Sequence, residues 1–119
     1  MRYMFMVYDD ETRWTQPSPE EMAKLIEEFN AFHAEIVQRG VIIAERLHPT
    51  ATATTLRIRS SQRLMTDGPF AETKEQLGGV YVFECKDLDE ALDIAAKIPT
   101  AKTGSIEIRP VFLPPDDMQ

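Results

Sequence analysis

The chain has 119 residues, 43% of them hydrophobic, which suits one domain (1–119) with an ordinary core. Thirteen basic against 20 acidic residues give a net charge of −7, which repels phosphate backbones and argues against nucleic-acid binding. Cys85 is the single cysteine, so no internal disulfide forms; no apolar run could span a bilayer and no signal-peptide pattern opens the chain, so a cytoplasmic protein without a membrane partner is expected.

Residues 3–8, YMFMVY, are apolar at both alternating positions and predict a strand covered on both faces. The polar run DDETRWTQP then leads into a helix start. Ser18, Pro19 and Glu21 occupy the N-cap, N1 and N3 positions of a capping box. Met22, Leu25, Ile26, Phe29, Phe32, Ile36 and Val37 give the stripe of an amphipathic helix, and Gly40 is a natural residue to end it. Residues 41–47, VIIAERL, predict a second strand that His48-Pro49 closes.

Residues 51–60 and 62–66 predict a hairpin turning at Ser60-Ser61, with Arg57 and Arg59 on its wet face and Leu56 and Ile58 on the other. The connection DGPFAETKEQLGG (67–79) follows. VYVFEC (80–85) predicts another apolar strand. Asp87 or Asp89 caps a second helix, with Leu88, Leu92, Ala95, Ala96 and Ile98 as its buried side and Pro99 closing it. SIEIRPVF (105–112) alternates as a last strand, with Ile106 and Ile108 inward. LPPDDMQ (113–119) reads as a solvated tail.

Without the hairpin the order is βαββαβ. That predicts an α+β fold, ferredoxin-like, an antiparallel sheet with both helices on one face and the β-hairpin as an insertion. The strands 3–8 and 80–85 carry large apolar side chains on both faces, so the face without helices needs a cover. A second copy in a two-fold homodimer is the simplest.

Five segments carry a resemblance: YDDETRW (8–14), ERLHPTATATTLRIR (45–59), TDGPFAETKEQLGGVYVFE (66–84), DLDEAL (87–92) and GSIEIRPV (104–111). In these the chain resembles the YciI-related (YCII) proteins, in the group named for its DGPF tetrapeptide. The resemblance implies a dimeric α/β barrel. It also implies a regulatory association, because some members resemble proteins encoded beside extracytoplasmic-function sigma factors. YciI relatives have a His–Asp pair in a cleft, and many DGPF members carry a histidine just before GSIE. Here that place is Thr103.

Several residues are candidates for chemistry on the open sheet face. Asp67 is either a turn aspartate or a carboxylate at the cleft mouth, a general base or ligand acceptor. Glu45 and Arg46 leave their strand on opposite faces, so one should reach the cleft; Glu45 is the second acid–base candidate. Arg109, alternating with the core isoleucines, either pairs with Glu107 or waits for a small anionic ligand. Lys74 lies between Glu72 and Glu75 and could bind the same anion. Tyr8 could close the cleft, and Phe70 is either a core plug or part of the ligand wall.

His33 reads as a packed helix residue, His48 as an exposed one, and Cys85 as a small buried hydrophobe. Neither zinc-spaced Cys/His clusters nor P-loop spacing around Gly78-Gly79 occurs, so no metal or cofactor is expected. The function classes that fit are a small-molecule enzyme or binder using the cleft, a non-catalytic regulatory protein contacting a sigma factor, and an accessory domain whose loops serve assembly.

Overall fold

The computed structural model describes residues 1–114. The expected solvated tail therefore lies, from residue 115 onward, outside the described residues. Strand β1 (Arg2–Asp9) leads to a single-turn helix α1 (Thr12–Thr15) and a 20-residue helix α2 (Pro19–Gln38). Then come β2 (Ile43–Arg46), β3 (Thr54–Arg59), β4 (Gln62–Asp67), β5 (Gln76–Glu84), α3 (Leu88–Ala95) and β6 (Ser105–Pro110).

Four strands form one sheet in the order β2-β5-β1-β6, with every neighbouring pair antiparallel. Each helix thus links two strands that are held apart by a third: β5 lies between β1 and β2, and β1 lies between β5 and β6. This is the split βαβ arrangement that the element order predicted. The β3–β4 hairpin forms a separate two-stranded sheet.

Strand alternation fixes the two faces. Tyr3, Phe5, Val7, Tyr81 and Phe83 are buried under α2 and α3, against Phe32, Ile36, Ala91, Ile94 and Ile98. The Phe5 and Phe83 rings meet at 5.3 Å. Met4, Met6, Tyr8 and Val80 point the other way and are only half-buried.

The α2 cap forms as the sequence indicated. Glu21 N donates to Ser18 Oγ at 3.1 Å, and Ser18 N donates to Glu21 Oε1 at 3.2 Å. Asp87, not Asp89, caps α3, accepting from Glu90 N at 2.9 Å. The buried side of α3 is Ala91, Ile94 and Ala95, while Leu88 and Leu92 are exposed. Small residues let this short helix lie close to the sheet, and the leucines are turned outward. On α2, Ile26 and Val37 likewise fall off the buried stripe.

The second strand is shorter than expected, yet Ile42 N and Leu47 N still bond to Val82 O and Gly78 O at its two ends. Strand β5 begins four residues earlier than expected, so Gly78-Gly79 lies inside a strand instead of in the turn before it. Among the described residues, no helix is long and apolar enough to cross a membrane.

Candidate functional site

Asp9 is the last residue of β1, and alternation turns it to the helix side, where it is 1% exposed. A carboxylate so buried needs donors. It has three: Asp10 N reaches Oδ1 at 2.8 Å, Thr103 Oγ1 reaches Oδ2 at 2.7 Å, and Arg13 Nε reaches Oδ1 at 3.2 Å. Arg13 comes from α1. That turn is started by Asp10, whose Oδ1 accepts from Thr12 N at 3.0 Å and Thr12 Oγ1 at 2.7 Å, and these bonds hold the exposed Asp10 carboxyl below its ordinary pKa. Glu11 ties the turn down from the other side, accepting from Thr50 N at 3.0 Å and Thr50 Oγ1 at 2.6 Å.

Two glycines make this packing possible. A Cβ on Gly104 would lie 2.0 Å from Tyr8 O and 2.9 Å from Asp9 Cα, so only glycine lets the end of β1 pass. A Cβ on Gly78 would lie 2.9 Å from Trp14 Cζ2, so the bare backbone is the floor on which the indole rests.

Between α2 and this end of the sheet lies a cavity of about 290 Å³. Trp14, Leu25, Phe29, Leu47 and Tyr81 give it apolar walls; Asp9, Arg13, Lys24, Arg46 and Thr100 supply polar groups. The Arg46 guanidinium stands 5.7 Å over the Phe29 ring. Among the described residues neither Arg46 nor Lys24 has an ion pair. Thr100 is buried and its Oγ1 has no hydrogen-bond partner among the described residues. The Tyr81 hydroxyl is hydrogen-bonded to His33 Nε2 at 3.1 Å. Burial, and then the charge of Arg46, pull the imidazole below its ordinary pKa; burial pushes the Tyr81 phenol up, with Arg46 opposing.

None of the six residues expected from sequence lines this cavity. Arg109 is exposed and takes Glu107 Oε2 at 2.6 Å through its Nε. Both project from the open face, opposite Met4 and Met6. Glu45 is on that same face, opposite Val80, while Arg46 turns to the helix side. Tyr8 lies between Leu77 and Ser105 at the end of β1. Asp67 ends β4 in the separate hairpin, exposed and with no hydrogen bond to its carboxylate among the described residues. Lys74 is exposed in a segment that forms bends.

Phe70 is 79% exposed, so the core-plug reading is corrected. The turn before it is held by Gly68 N donating to Ala53 O at 2.7 Å, which leaves its ring outside the sheet.

Sequence reasoning missed Asp9, Arg13, Trp14 and Thr100, and it took His33 only as packing. The signal was present in part. YDDETRW, ERLHPT and LGG converge on the cavity and are among the segments that carried the family resemblance; Thr103, where many DGPF members carry a histidine, lines it too.

Comparison with known proteins agrees with that resemblance. A relative from Rhizobium meliloti (strain 1021), described as an uncharacterised protein, is 41% identical over 116 residues, covering 95% of this chain and 94% of its own. Among solved structures, 5-chloro-2-hydroxyhydroquinone dehydrochlorinase from Burkholderia phenoliruptrix AC1100, in complex with 2,5-dihydroxybenzoquinone, is similar with a TM-score of 0.49 and 14% identity, over 94% of each chain. The YCII-related domain model matches residues 1–114, and the chain belongs to the YCII-related family.

Proposed function

We propose that the protein binds a small amphipathic anion, an apolar or aromatic body ending in a carboxylate, in the cavity beneath α2. The observation that carries this is Arg46: a guanidinium with no carboxylate partner among the described residues, standing over the Phe29 ring on the wall of a largely apolar cavity. Such a fork is suited to a carboxylate. The unpaired cations support a negative charge on the ligand. Asp9 is paired with Arg13 and Glu21 points its carboxylate to the Ser18 cap, so the cations free to meet a ligand are Lys24 and Arg46, neither of which has an ion pair among the described residues. The unpartnered Thr100 hydroxyl offers a further polar contact. At about 30 Å³ per water, the cavity holds roughly ten non-hydrogen atoms, a single ring with a short substituent.

Binding is favoured over acid–base turnover at Asp9. Asp9 is the buried carboxylate of the cavity, and its neighbour Thr103 can donate a hydrogen bond but cannot exchange a proton near neutral pH as a histidine would.

Trp14 is the chain's single tryptophan and lines the cavity, so its fluorescence reports occupancy. Benzoate should change it saturably, and neutral benzamide should do so more weakly. Arg46→Gln should remove the preference for the anion. No response to benzoate up to about 10 mM, the weak end of specific affinity, would count against the reading.

We further propose that two copies associate through the open sheet face as a homodimer, closing an α/β barrel. The chain exposes 8651 Å², against about 6,600 Å² for a compact monomer of its mass. The difference exceeds the roughly 800 Å² that each partner gives to a standard interface. On this reading Glu45, Tyr8 and the Arg109–Glu107 pair belong to the subunit contact. Light scattering should give twice the 13.6 kDa chain mass.

A further inference from the structure

The β3–β4 hairpin is a well-formed element with nothing beneath it. Its register runs without a break from Thr54↔Asp67 to Arg59↔Gln62. Ser60 and Ser61, at φ 51° and 63°, make the two-residue turn whose twist matches the strands. Yet Leu56, Ile58 and Met65, which share one face, are 50%, 60% and 66% exposed. A lone two-stranded hairpin is marginal in water, and three large apolar side chains on one exposed face add to that cost.

The charge of the hairpin is opposite to that of the rest of the molecule. Arg57, Arg59 and Arg63 against Asp67 give residues 54–67 a net charge of +2, in a chain of net −7. None of these three arginines has an ion pair among the described residues. An acidic surface with an apolar centre would satisfy both properties. The chain itself carries one: the open sheet face presents Met4, Met6 and Ile43 beside the Glu107–Arg109 pair and Glu45, a carboxylate with no ion pair among the described residues.

We infer that the hairpin is an arm that crosses onto a second copy of this chain and seats Leu56, Ile58 and Met65 at the β2 edge of that copy's open sheet face, beside Ile43 and Glu45, outside the centre that the two sheets share. By two-fold symmetry each copy gives an arm and receives one. The inference rests on the homodimer proposed above, and adds the element that closes it. It also accounts for the long insertion between β2 and β5, which contributes nothing to the chain's own core. The basic arm and the unpaired Glu45 attract one another, which favours this docking.

The test uses the full chain in analytical ultracentrifugation, with Leu56→Asp/Ile58→Asp as the main variant. Neither side chain is in the core, so the fold should persist, and protection of the buried Cys85 thiol checks this. The dimer dissociation constant should rise about tenfold or more, as for loss of a buried apolar anchor. In a second variant, Met65→Cys should react with a maleimide at least about tenfold more slowly in the dimer than in the monomer, since a seated side chain is closed to solvent. A dimer that ignores Leu56→Asp/Ile58→Asp, or whose residue-65 thiol reacts at the monomer's rate, overturns the arm and leaves the sheet-face dimer standing. A wild-type chain that is monomeric at high concentration overturns both. Neither result touches the cavity, which Trp14 reports separately.

Discussion

Thr103 donates a hydrogen bond from Oγ1 to Asp9 Oδ2 at 2.7 Å, joining residues that are 94 positions apart. The bond fixes the one buried carboxylate of the cavity, and does so with a hydroxyl. Thr103→Val keeps the shape and removes the donor. It should cost about 1.5–3 kcal/mol, the range for a hydrogen bond to a charged group, measured by urea denaturation. An unchanged midpoint would show that water replaces the hydroxyl at no cost.

Gly104 and Gly78 should be intolerant for different reasons. Gly104→Ala drives a Cβ into backbone at 2.0 Å, and should prevent the native sheet from closing, with loss of cooperative unfolding. Gly78→Ala meets only the Trp14 ring, at 2.9 Å, so the protein should fold while the indole shifts. Its emission maximum should move, and benzoate affinity should fall. An unmoved spectrum in Gly78→Ala would mean that Trp14 is not held against the strand.

His33 gives the molecule a pH dependence above the carboxylate range. Burial, with Arg46 nearby, lowers its pKa below the 6.5 of a free imidazole. The unfolded chain therefore binds this proton more readily than the folded one. The contribution is fully present above pH 6.5 and is lost as pH falls from there towards the folded pKa. Stability should begin to decline as pH falls below 6.5, before the hydrogen-bonded carboxylates of Glu21 and Glu35 titrate. His33→Gln should flatten that decline. An imidazole titration midpoint at or above 6.5 by NMR would remove the basis of the prediction.

Ser18→Ala should lower stability by about 1 kcal/mol, because Glu21 N loses its acceptor at the first turn of α2. Thermal unfolding is sufficient to measure it.

Phe5→Ala should cost about 3–5 kcal/mol, since its ring is wholly buried against Phe83 at the centre of the sheet. A smaller loss would mean that the surrounding rings collapse into the space.

The fold was largely legible because its signals are local and periodic. The Ser18 capping box, the alternation of 3–8 and 105–112, and the Ser60-Ser61 turn each specify one element. The site was less legible because it depends on which face a residue finally meets. Arg109 was placed correctly on the open face, and its partner is the Glu107 two residues away, one of the two readings left open. Asp9 was passed over because an acid at a strand end looks like the start of a loop. The closeness of Gly104 and the hydroxyl of Thr103, both distant in sequence, join the local donors Asp10 N and Arg13 in keeping it inside. Trp14 was hidden for the same reason: the one-turn helix that carries it is too short to show a period, and its contact is with a residue that has no side chain.

Strand β1 lies between β5 and β6, and Tyr3 is in register with Pro110. This strand leaves the ribosome before either neighbour, and therefore waits for β6 before both of its edges are satisfied. Until residues 105–110 arrive, one edge of a strongly apolar strand is unpaired, a surface prone to wrong association. Pairings this far apart in sequence slow folding, because closing so long a loop precedes any gain from contact. Chains ending before residue 105 should accumulate as aggregates, and the cavity, which needs Asp9 and Thr103 together, should appear only with the complete sheet.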